Sequence, residues 1–348
     1  MNIKLCTETF NEKNPASIET YIKHGGYSAW KDIVNSKASK SSIIEKIKNS
    51  GLRGKGGAGF LTGLKWSFIP LASGQKYLVC NSDESEPGTC KDRDILRYNP
   101  HAIIEGMLIA SYAIGANVAY NYLRGEFIDE QKRVFDEALK RAYNENLVGA
   151  NILSSSISID IFSLIGAGAY IVGEETAMLE SIEGKRGMPR IKPPFPAIKG
   201  LFGKPTIINN TETLASVPKI MRSENDWYKD IGIEKSEGIK MFCMSGHINK
   251  PGNFEIPLGT PFRDLLDMSG GVLDDHKLKA VIPGGSSVPV VKGEDMLEIN
   301  MDYEAIANVG SMLGSGGVIV MDDTTCMVSV LQRISRFYYA ESCGQCTP

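Results

Sequence analysis

The chain has 348 residues and a mass of 38.0 kDa, enough for two domains and a large buried core. Its 38 basic residues nearly balance its 41 acidic residues, and 42% of the residues are hydrophobic. This composition excludes a strongly basic nucleic-acid-binding protein and a disordered chain. We therefore expect a folded multidomain protein with no nucleic-acid partner.

No segment predicts direct membrane insertion. The most apolar stretch, 107–120, is shorter than the ~20 residues of a spanning helix and predicts a buried helix that leads into a strand. The first residues, MNIKLCTETFNEKN, lack the features of a signal or transit peptide. A bacterial cytoplasmic location is therefore favoured, and we expect the scattered cysteines to be packed thiols rather than disulfides.

Strand and helix patterns alternate through the first two thirds of the chain. In chain order they predict a helix over 41–50, a glycine-rich loop over 51–63, a strand over 76–80, a helix over 100–114, a strand over 118–123, a helix over 129–143, a strand over 157–164 and a helix over 174–182. Five prolines from Pro189 to Pro205 predict an extended loop, followed by a short strand ending at Asn210 and one more helix. The alternation predicts a layered α/β domain over residues 1–226.

The composition changes near Trp227, where we place a domain boundary. Strand-like runs at 241–244, 280–282 and 318–321, with one helix over 261–268, predict a small β-rich domain over 239–322. From Thr324, apolar residues at helical spacing predict a final helix.

The segment Gly54-Lys55-Gly56-Gly57-Ala58-Gly59 formally matches the Rossmann fingerprint. We reject that interpretation because the fingerprint follows a strand, whereas a predicted helix precedes it here. Clustered glycines still let backbone N–H groups approach a phosphate or a flat ring, with Arg53 and Lys65 nearby to supply charge. A plain flexible loop is the alternative. A P-loop phosphotransferase is excluded because Gly-Lys-Ser/Thr is absent from this loop.

Three further segments carry polar groups. The acidic loop 81–88 follows a predicted buried strand, and its carboxylates can accept hydrogen bonds from ribose or ribityl hydroxyls. The strand–glycine–helix sequence 166–176 places acids at a helix start, and the loop 192–196 and the paired Asn209 and Asn210 add an aromatic surface and donors. A solvated turn, a capped helix or a core position is the alternative for each.

Cys343 and Cys346 form a CxxC motif, which can ligate iron or zinc or act as a thioredoxin-like redox pair. A thioredoxin-like motif follows a strand, but here a helix is predicted before it, so metal ligation is favoured. Two thiolates do not complete a cluster. The four histidines are too dispersed to help: His24, His101, His247 and His276.

In combination the motifs resemble those of the NADH-binding flavoprotein subunit of bacterial respiratory complex I, an NADH-quinone oxidoreductase. The segments GLRGKGGAGF, KWSF, NSDESEPGT, GAYIVGEETA, RIKPPFPA, TIINNTET and ESCGQCTP follow in the family's order, so the resemblance covers essentially the whole chain. It implies a layered FMN-binding α/β domain, a small β-grasp-like (ubiquitin-like) domain and, over 323–348, the start of a helical iron–sulfur domain.

The resemblance also implies roles for individual residues. FMN would be held by Gly54, Gly56, Lys65, Asn81, Asp83, Tyr170, Gly173, Glu174, Asn209 and Asn210. NADH would bind at Phe60, Phe68, Glu86, Glu175, Lys192 and Phe195, with its adenine among the phenylalanines. No catalytic side chain is expected beyond the flavin, although Glu174 and Glu175 are candidates for tuning it. Glu86 would repel a 2′-phosphate, which favours NADH over NADPH.

In function, the resemblance implies that the chain accepts hydride from NADH onto FMN and passes electrons singly to iron–sulfur clusters for quinone reduction. The expected partners are NADH and the other peripheral-arm subunits, especially the [2Fe-2S] thioredoxin-like subunit, at the inner face of the bacterial cell membrane. The alternatives are a diaphorase subunit of an NAD-linked hydrogenase or formate dehydrogenase, and a non-catalytic assembly or scaffold module.

The C-terminus departs from the family pattern, which continues to a third cysteine, a helical bundle and a fourth cysteine. This chain ends at Pro348, so we expect a truncated product or an incomplete gene model. Cys343 and Cys346 would then be two ligands of a [4Fe-4S] cluster whose ligand set this chain cannot complete.

Overall fold

The computed structural model describes residues 3–70, 72–224 and 226–346, which form two compact units. The first unit comprises the chain up to Gly54 together with Phe60–Glu84 and Asp92–Trp227. The second comprises Lys55–Gly59, Ser85–Lys91 and the chain from Tyr228 onward. Among the described residues, none of the helices combines the length and apolar character that a membrane span requires.

Helices and strands alternate along the first unit. In chain order they are α1 (Ile18–Lys23), α2 (Ser28–Ser36), α3 (Lys40–Asn49), α4 (Thr62–Ser67), β1 (Tyr77–Ser82), α5 (Lys91–Tyr98), α6 (Pro100–Ile114), β2 (Val118–Leu123), α7 (Gln131–Asn144), β3 (Asp160–Ile165), α8 (Glu175–Ile182), α9 (Pro196–Lys199), β4 (Thr206–Asn210) and α10 (Thr211–Arg222).

The four strands of this unit form a parallel sheet in the order β3-β2-β1-β4. Because alternate residues of a strand point to opposite faces, neighbours on β1 meet different helices. Val79 packs in a cluster with Leu179 of α8, whereas the Cys80 thiol lies 3.8 Å from the Thr211 hydroxyl of α10. Helices therefore cover both faces, which confirms the predicted layered α/β fold.

The helix α6 has the predicted bounds and is buried along almost its whole length. It packs against α10, and Gly106 permits the close approach, since a Cβ there would lie 2.0 Å from the Leu214 carbonyl oxygen. All four strands run in one direction, so their carboxyl ends meet at one edge of the sheet.

Several short elements of the first unit were not predicted. The helices α1, α2, α4 and α5, of six to nine residues, are absent from the sequence-based assignment. A short helix shows few repeats of its apolar pattern. The proline-rich segment is not irregular throughout, since it contains α9 and the 3₁₀ turn Leu201–Gly203. Pro196 stands in the first turn of α9, where proline is favourable.

The second unit is richer in strands. Its elements are β5 (Gly232–Ile233), β6 (Ser236–Glu237), β7 (Ile239–Gly246), β8 (Gly252–Pro257), α11 (Phe262–Met268), β9 (Leu278–Ile282), β10 (Val291–Lys292), α12 (Gly293–Met296), α13 (Tyr303–Asn308), β11 (Gly317–Asp322) and α14 (Met327–Glu341). The prediction of a single helix before the final one was wrong, because α12 and α13 are too short to show a period.

The main sheet of this unit has the order β10-β9-β11-β7-β8. Its central strands β7 and β11 are parallel, and every other neighbouring pair is antiparallel. One helix, α11, follows the β7–β8 hairpin and buries Phe262 and Leu265 in the core. This arrangement confirms the predicted β-grasp-like fold. The final helix α14 packs Met327, Val330 and Ile334 against β9 and β11.

Candidate functional site

The candidate site lies at the carboxyl edge of the sheet in the first unit. There β1 leads into Asp83 and Glu84, and β4 ends at Asn210, which pairs in register with Asn81. Loops and helix starts at this edge of a parallel sheet are the usual place for a ligand. The structure therefore brings the three predicted asparagines and Asp83 to one edge.

Four predicted site residues form a network of ion pairs. Lys65 Nζ lies 2.9 Å from Glu175 Oε2, and Lys192 Nζ lies 2.9 Å from Glu174 Oε1 and 3.7 Å from Glu175 Oε1. Each side chain is about a quarter to a third exposed. The network ties α4, the start of α8 and the proline-rich loop together and leaves both signs of charge accessible to a ligand.

Glu174 also caps α8. Its Oε2 atom accepts hydrogen bonds from the backbone N–H groups of Thr176 at 2.8 Å and Ala177 at 2.9 Å. Burial opposes ionisation, but the hydrogen bonds from Thr176 and Lys192 outweigh it and lower the pKa of Glu174. The same carboxylate holds the pKa of Lys192 above its usual value against the effect of burial. Glu174 is therefore ionised, and its carboxylate stabilises the start of α8.

Two of the three asparagine side chains, those of Asn81 and Asn210, form hydrogen bonds within the first unit at both ends of their amides. Asn81 donates to the Gly173 carbonyl at 2.9 Å and accepts from the Asp83 N–H at 3.1 Å. Asn210 caps α10 by accepting from Glu212 N–H at 3.0 Å, and its NH2 donates to Asp92 at 2.6 Å. Each of these two side chains therefore uses both the oxygen and the NH2 group of its amide to hold the backbone at this edge of the sheet.

Two glycines of the first unit, Gly54 and Gly173, are not required by the fold. A Cβ on Gly54 or Gly173 would meet no atom nearer than 3.4 Å or 3.5 Å, and neither residue has a left-handed backbone. At Gly63, by contrast, a Cβ would lie 2.3 Å from the Lys48 backbone. Space beside a bare backbone suits a flat or phosphorylated ligand, so the residues present fit FMN.

The predicted aromatic residues are on the surface of the first unit. Phe60 and Phe68 are about half exposed, and their ring centroids lie 6.0 Å apart. Phe195 is 58% exposed at the start of α9, and within the described residues its ring contacts neither of the other two. Tyr170 begins the 3₁₀ turn that ends at Gly173. Exposed rings of this kind offer a stacking surface for a nucleotide base.

Four predicted residues belong to the second unit. Gly56 lies in its Lys55–Gly59 segment, and Glu86 accepts hydrogen bonds there from Ser287 N–H at 2.7 Å and the Ser286 hydroxyl at 3.2 Å. Cys343 is partly buried and Cys346 is exposed, and neither forms a disulfide. Within the described residues no group of three or more His, Cys, Asp or Glu can hold a metal ion, so the two thiols do not make a complete cluster site.

The sequence reasoning missed the structural roles of two residues of the first unit. Glu84 is buried and accepts from the backbone N–H groups of Asp92 at 2.8 Å and Arg93 at 2.9 Å, so it serves the start of α5. Trp66 is fully buried and donates to Asn209 at 2.8 Å. The only signal for Trp66 was its position next to Lys65 in the resembling segment.

Comparisons with known proteins identify two domains in this chain. The family model of the Nuo51 FMN-binding domain matches residues 47–219, and that of the SLBB domain matches residues 241–291. The first match spans the glycine loop, the acidic loop, the ion-pair network and the asparagines. The fold and the domain matches together define an FMN-binding flavoprotein.

Similar proteins of known name identify the family to which the chain belongs. A second F-type subunit of NADH-quinone oxidoreductase in Rhizobium meliloti (strain 1021) is 50% identical over 333 residues, which is 95% of this chain and 78% of that protein. The F-type subunit of NADH-quinone oxidoreductase in Rickettsia bellii (strain OSU 85-389) is 54% identical over 312 residues, or 89% of this chain and 75% of that protein. The chain belongs to this family, the F-type subunits of NADH-quinone oxidoreductase.

A solved structure shares the fold. The NAD+-reducing [NiFe]-hydrogenase in the air-oxidised state matches with a TM-score of 0.83 and 32% identity over all of this chain. This chain spans 56% of the hydrogenase chain, just over half of its length. Family membership confirms the predicted resemblance, the oxidoreductase class, the NADH dehydrogenase flavoprotein function and FMN as the cofactor of the fold. As a member of this family, the chain is a subunit of a larger NAD-linked complex.

Proposed function

We propose that this chain oxidises NADH with FMN held at the carboxyl edge of the first unit and delivers the electrons towards quinone. The main support for the proposal comes from Gly54 and Gly173. Neither backbone conformation nor packing requires glycine at these two positions. FMN, when bound, accepts a hydride and returns its electrons one at a time.

The residues proposed to hold FMN divide into three kinds. Gly54 and Gly173 give the ligand access to the backbone, as Gly173 does beside Asp83, and a role for Gly56 of the second unit stays a prediction. Lys65 supplies positive charge, although Glu175 shares it at 2.9 Å. The asparagines, Asp83, Tyr170 and Glu174 supply hydrogen-bonding groups or hold the loops that do.

For NADH, we propose that Phe60, Phe68 and Phe195 receive the adenine on their exposed rings. Glu175 and Lys192 then meet the sugar, amide or phosphate groups, since both are partly exposed in the ion-pair network. No side chain needs to move a proton, because hydride transfer is the chemistry of the cofactors. The task of the protein is to place the two rings against each other.

We propose that Glu86 selects NADH by repelling the 2′-phosphate of NADPH. The test is the ratio of kcat/KM for NADH to that for NADPH, with ferricyanide as acceptor, in the FMN-loaded chain. Glu86→Gln keeps an acceptor for the Ser287 N–H and removes the charge, so the ratio should fall. Glu137→Gln, an exposed acid on α7, is the control. An unchanged ratio in Glu86→Gln, or NADPH as the better substrate of the wild type, would contradict the assignment.

Assembly and location are also proposals. Family membership supports a place beside the [2Fe-2S] thioredoxin-like subunit, at the inner face of the bacterial cell membrane. The domain boundaries 1–226, 239–322 and 323–348, and a [4Fe-4S] cluster on Cys343 and Cys346, stay predictions. Within the described residues the two cysteines alone do not form a cluster site.

A diaphorase subunit of an NAD-linked hydrogenase is the second candidate, favoured by the likeness to the NAD+-reducing hydrogenase. The sequence identity to complex I relatives is higher, at 50% against 32%. Affinity purification of the chain from its host, followed by identification of the bound subunits, separates the two. Quinone-reductase subunits support the first candidate, and nickel-containing hydrogenase subunits support the second.

A further inference from the structure

Trp66 is a fully buried residue of α4 whose indole N–H is aimed at β4. Its Nε1 atom donates to Asn209 Oδ1 at 2.8 Å, and Asn209 is itself only 6% exposed. An indole N–H can donate but never accept. The carbonyl side of the Asn209 amide must therefore face Trp66, and this neighbour fixes which way the amide points.

The fixed orientation leaves the NH2 group of Asn209 directed away from Trp66. Among the described residues this group makes no hydrogen bond, and it is not sealed from solvent. Asn81 and Asn210 instead use both ends of their amides inside the protein. Asn209 thus offers two donors that the fold does not use, at the edge where the site lies.

We propose that Trp66 is a positioning residue for FMN: its indole N–H holds the Asn209 amide so that the NH2 group donates to an acceptor oxygen of the cofactor. This inference rests on the proposed function. Without the indole N–H, the amide is free to turn over and present its own oxygen, which repels an acceptor. The acceptor belongs either to the flavin ring or to the phosphate, and riboflavin, which has no phosphate, distinguishes the two.

The first experiment measures FMN affinity of the full chain by quenching of flavin fluorescence. Trp66→Phe keeps a buried ring and removes the donor. Trp30→Phe is the matched control, because Trp30 is equally buried in the same unit and donates to the Leu147 carbonyl at 2.9 Å. We expect Trp66→Phe to bind FMN roughly five- to tenfold more weakly than Trp30→Phe. Equal affinity in the two variants would overturn the proposal.

The second experiment asks whether Trp66 acts through Asn209. Asn209→Asp keeps an acceptor for the indole N–H but replaces the outward NH2 with an oxygen, so FMN binding should weaken even if Trp66→Phe does not fold. A carboxylate has no donor end to orient. Trp66→Phe should therefore cost no further affinity when it is combined with Asn209→Asp. The same fold-loss in both backgrounds would mean a structural role only and would overturn the proposal.

Riboflavin then locates the acceptor. If affinities for FMN and riboflavin fall together in Trp66→Phe, and the flavin midpoint potential shifts, the donor serves the ring. If only FMN affinity falls, it serves the phosphate. Either result supports positioning by Trp66. Wild-type protein that is folded but binds no FMN would overturn the proposed function, whereas normal wild-type binding with a Trp66→Phe variant equal to Trp30→Phe overturns this inference alone.

Discussion

Two glycines of the first unit, Gly54 and Gly173, differ in purpose from two glycines of the β-grasp-like unit, Gly246 and Gly284. In the second unit, a Cβ on Gly246 would lie 2.2 Å from the Val320 carbonyl oxygen, and one on Gly284 would lie 2.5 Å from the Met312 carbonyl oxygen. At Gly54 and Gly173 the nearest atoms are at 3.4 Å and 3.5 Å. The absence of a side chain therefore serves packing at Gly246 and Gly284 and leaves room at Gly54 and Gly173.

Such a contrast separates a binding region from a tightly packed one without a bound ligand. A residue whose choice is explained by backbone conformation or packing needs no further function. A residue that neither explains, at the carboxyl edge of a parallel sheet, points to a ligand. Substitutions in the two regions should accordingly act on different properties.

The largest expected effect is on folding of the second unit. Gly246 has a φ of +86° in addition to its close contact with Val320, so Gly246→Ala should lower the free energy of unfolding by about 3 kcal/mol or more. Gly252→Ala is the control, since its Cβ would meet only a Phe254 ring atom at 4.0 Å. Urea denaturation measures both. Similar stability of the two variants would contradict a packing role for Gly246.

The next effect is on cofactor binding by the first unit. Gly173→Ala should leave the free energy of unfolding within about 1 kcal/mol of the wild type, because the added methyl meets Asp83 only at an ordinary contact distance of 3.5 Å. The same methyl should weaken FMN binding on the order of tenfold or more, since it fills room left for the ligand. Calorimetric titration with FMN checks the affinity. A stable variant with wild-type affinity would remove Gly173 from the site.

A smaller effect is expected at Glu174, which lies at the carboxyl edge but caps α8. Glu174→Gln should destabilise the protein by about 1 kcal/mol through loss of the charged cap on α8. Glu174→Asp, which retains a good cap residue, should recover much of this loss. Thermal unfolding of the cofactor-free variants provides the measurement. Equal stability of wild type and Glu174→Gln would show that the cap contributes nothing.

The smallest effect concerns pH. The folded protein lowers the pKa of Glu174 from its usual value of 4.5, so the carboxylate contributes stability that is present above pH 4.5 and lost as the pH falls through the folded pKa. The stability difference between wild type and Glu174→Gln should therefore shrink below pH 4.5. Denaturation curves on both sides of this pH test the point, and a difference that grows on acidification would contradict it.

The sequence predicted long and strongly patterned elements well. The bounds of α6 and β2 were right to the residue, because a proline at the helix start and a glycine after it mark α6 clearly. Short helices such as α4 and α9 escaped because four to six residues complete fewer than two turns.

The sequence supplied candidate residues for the site, but not the hydrogen bonds that they form with each other. Motif order and resemblance supplied Asn209, Glu174 and their neighbours in advance. The hydrogen bond from Trp66 to Asn209 joins residues 143 positions apart, and no local pattern encodes such a contact. For the same reason, Glu84 was assigned to the acidic loop as a ligand group, whereas the structure uses it at the start of α5.

The most direct test of the central assignment is an anaerobic absorbance titration of the purified, FMN-supplemented chain with NADH and, separately, with NADPH. The carboxyl-edge site predicts tight FMN binding and bleaching of the flavin by NADH but not by NADPH. Folded protein that fails to bind FMN, or bound FMN that NADH does not bleach, would contradict the account.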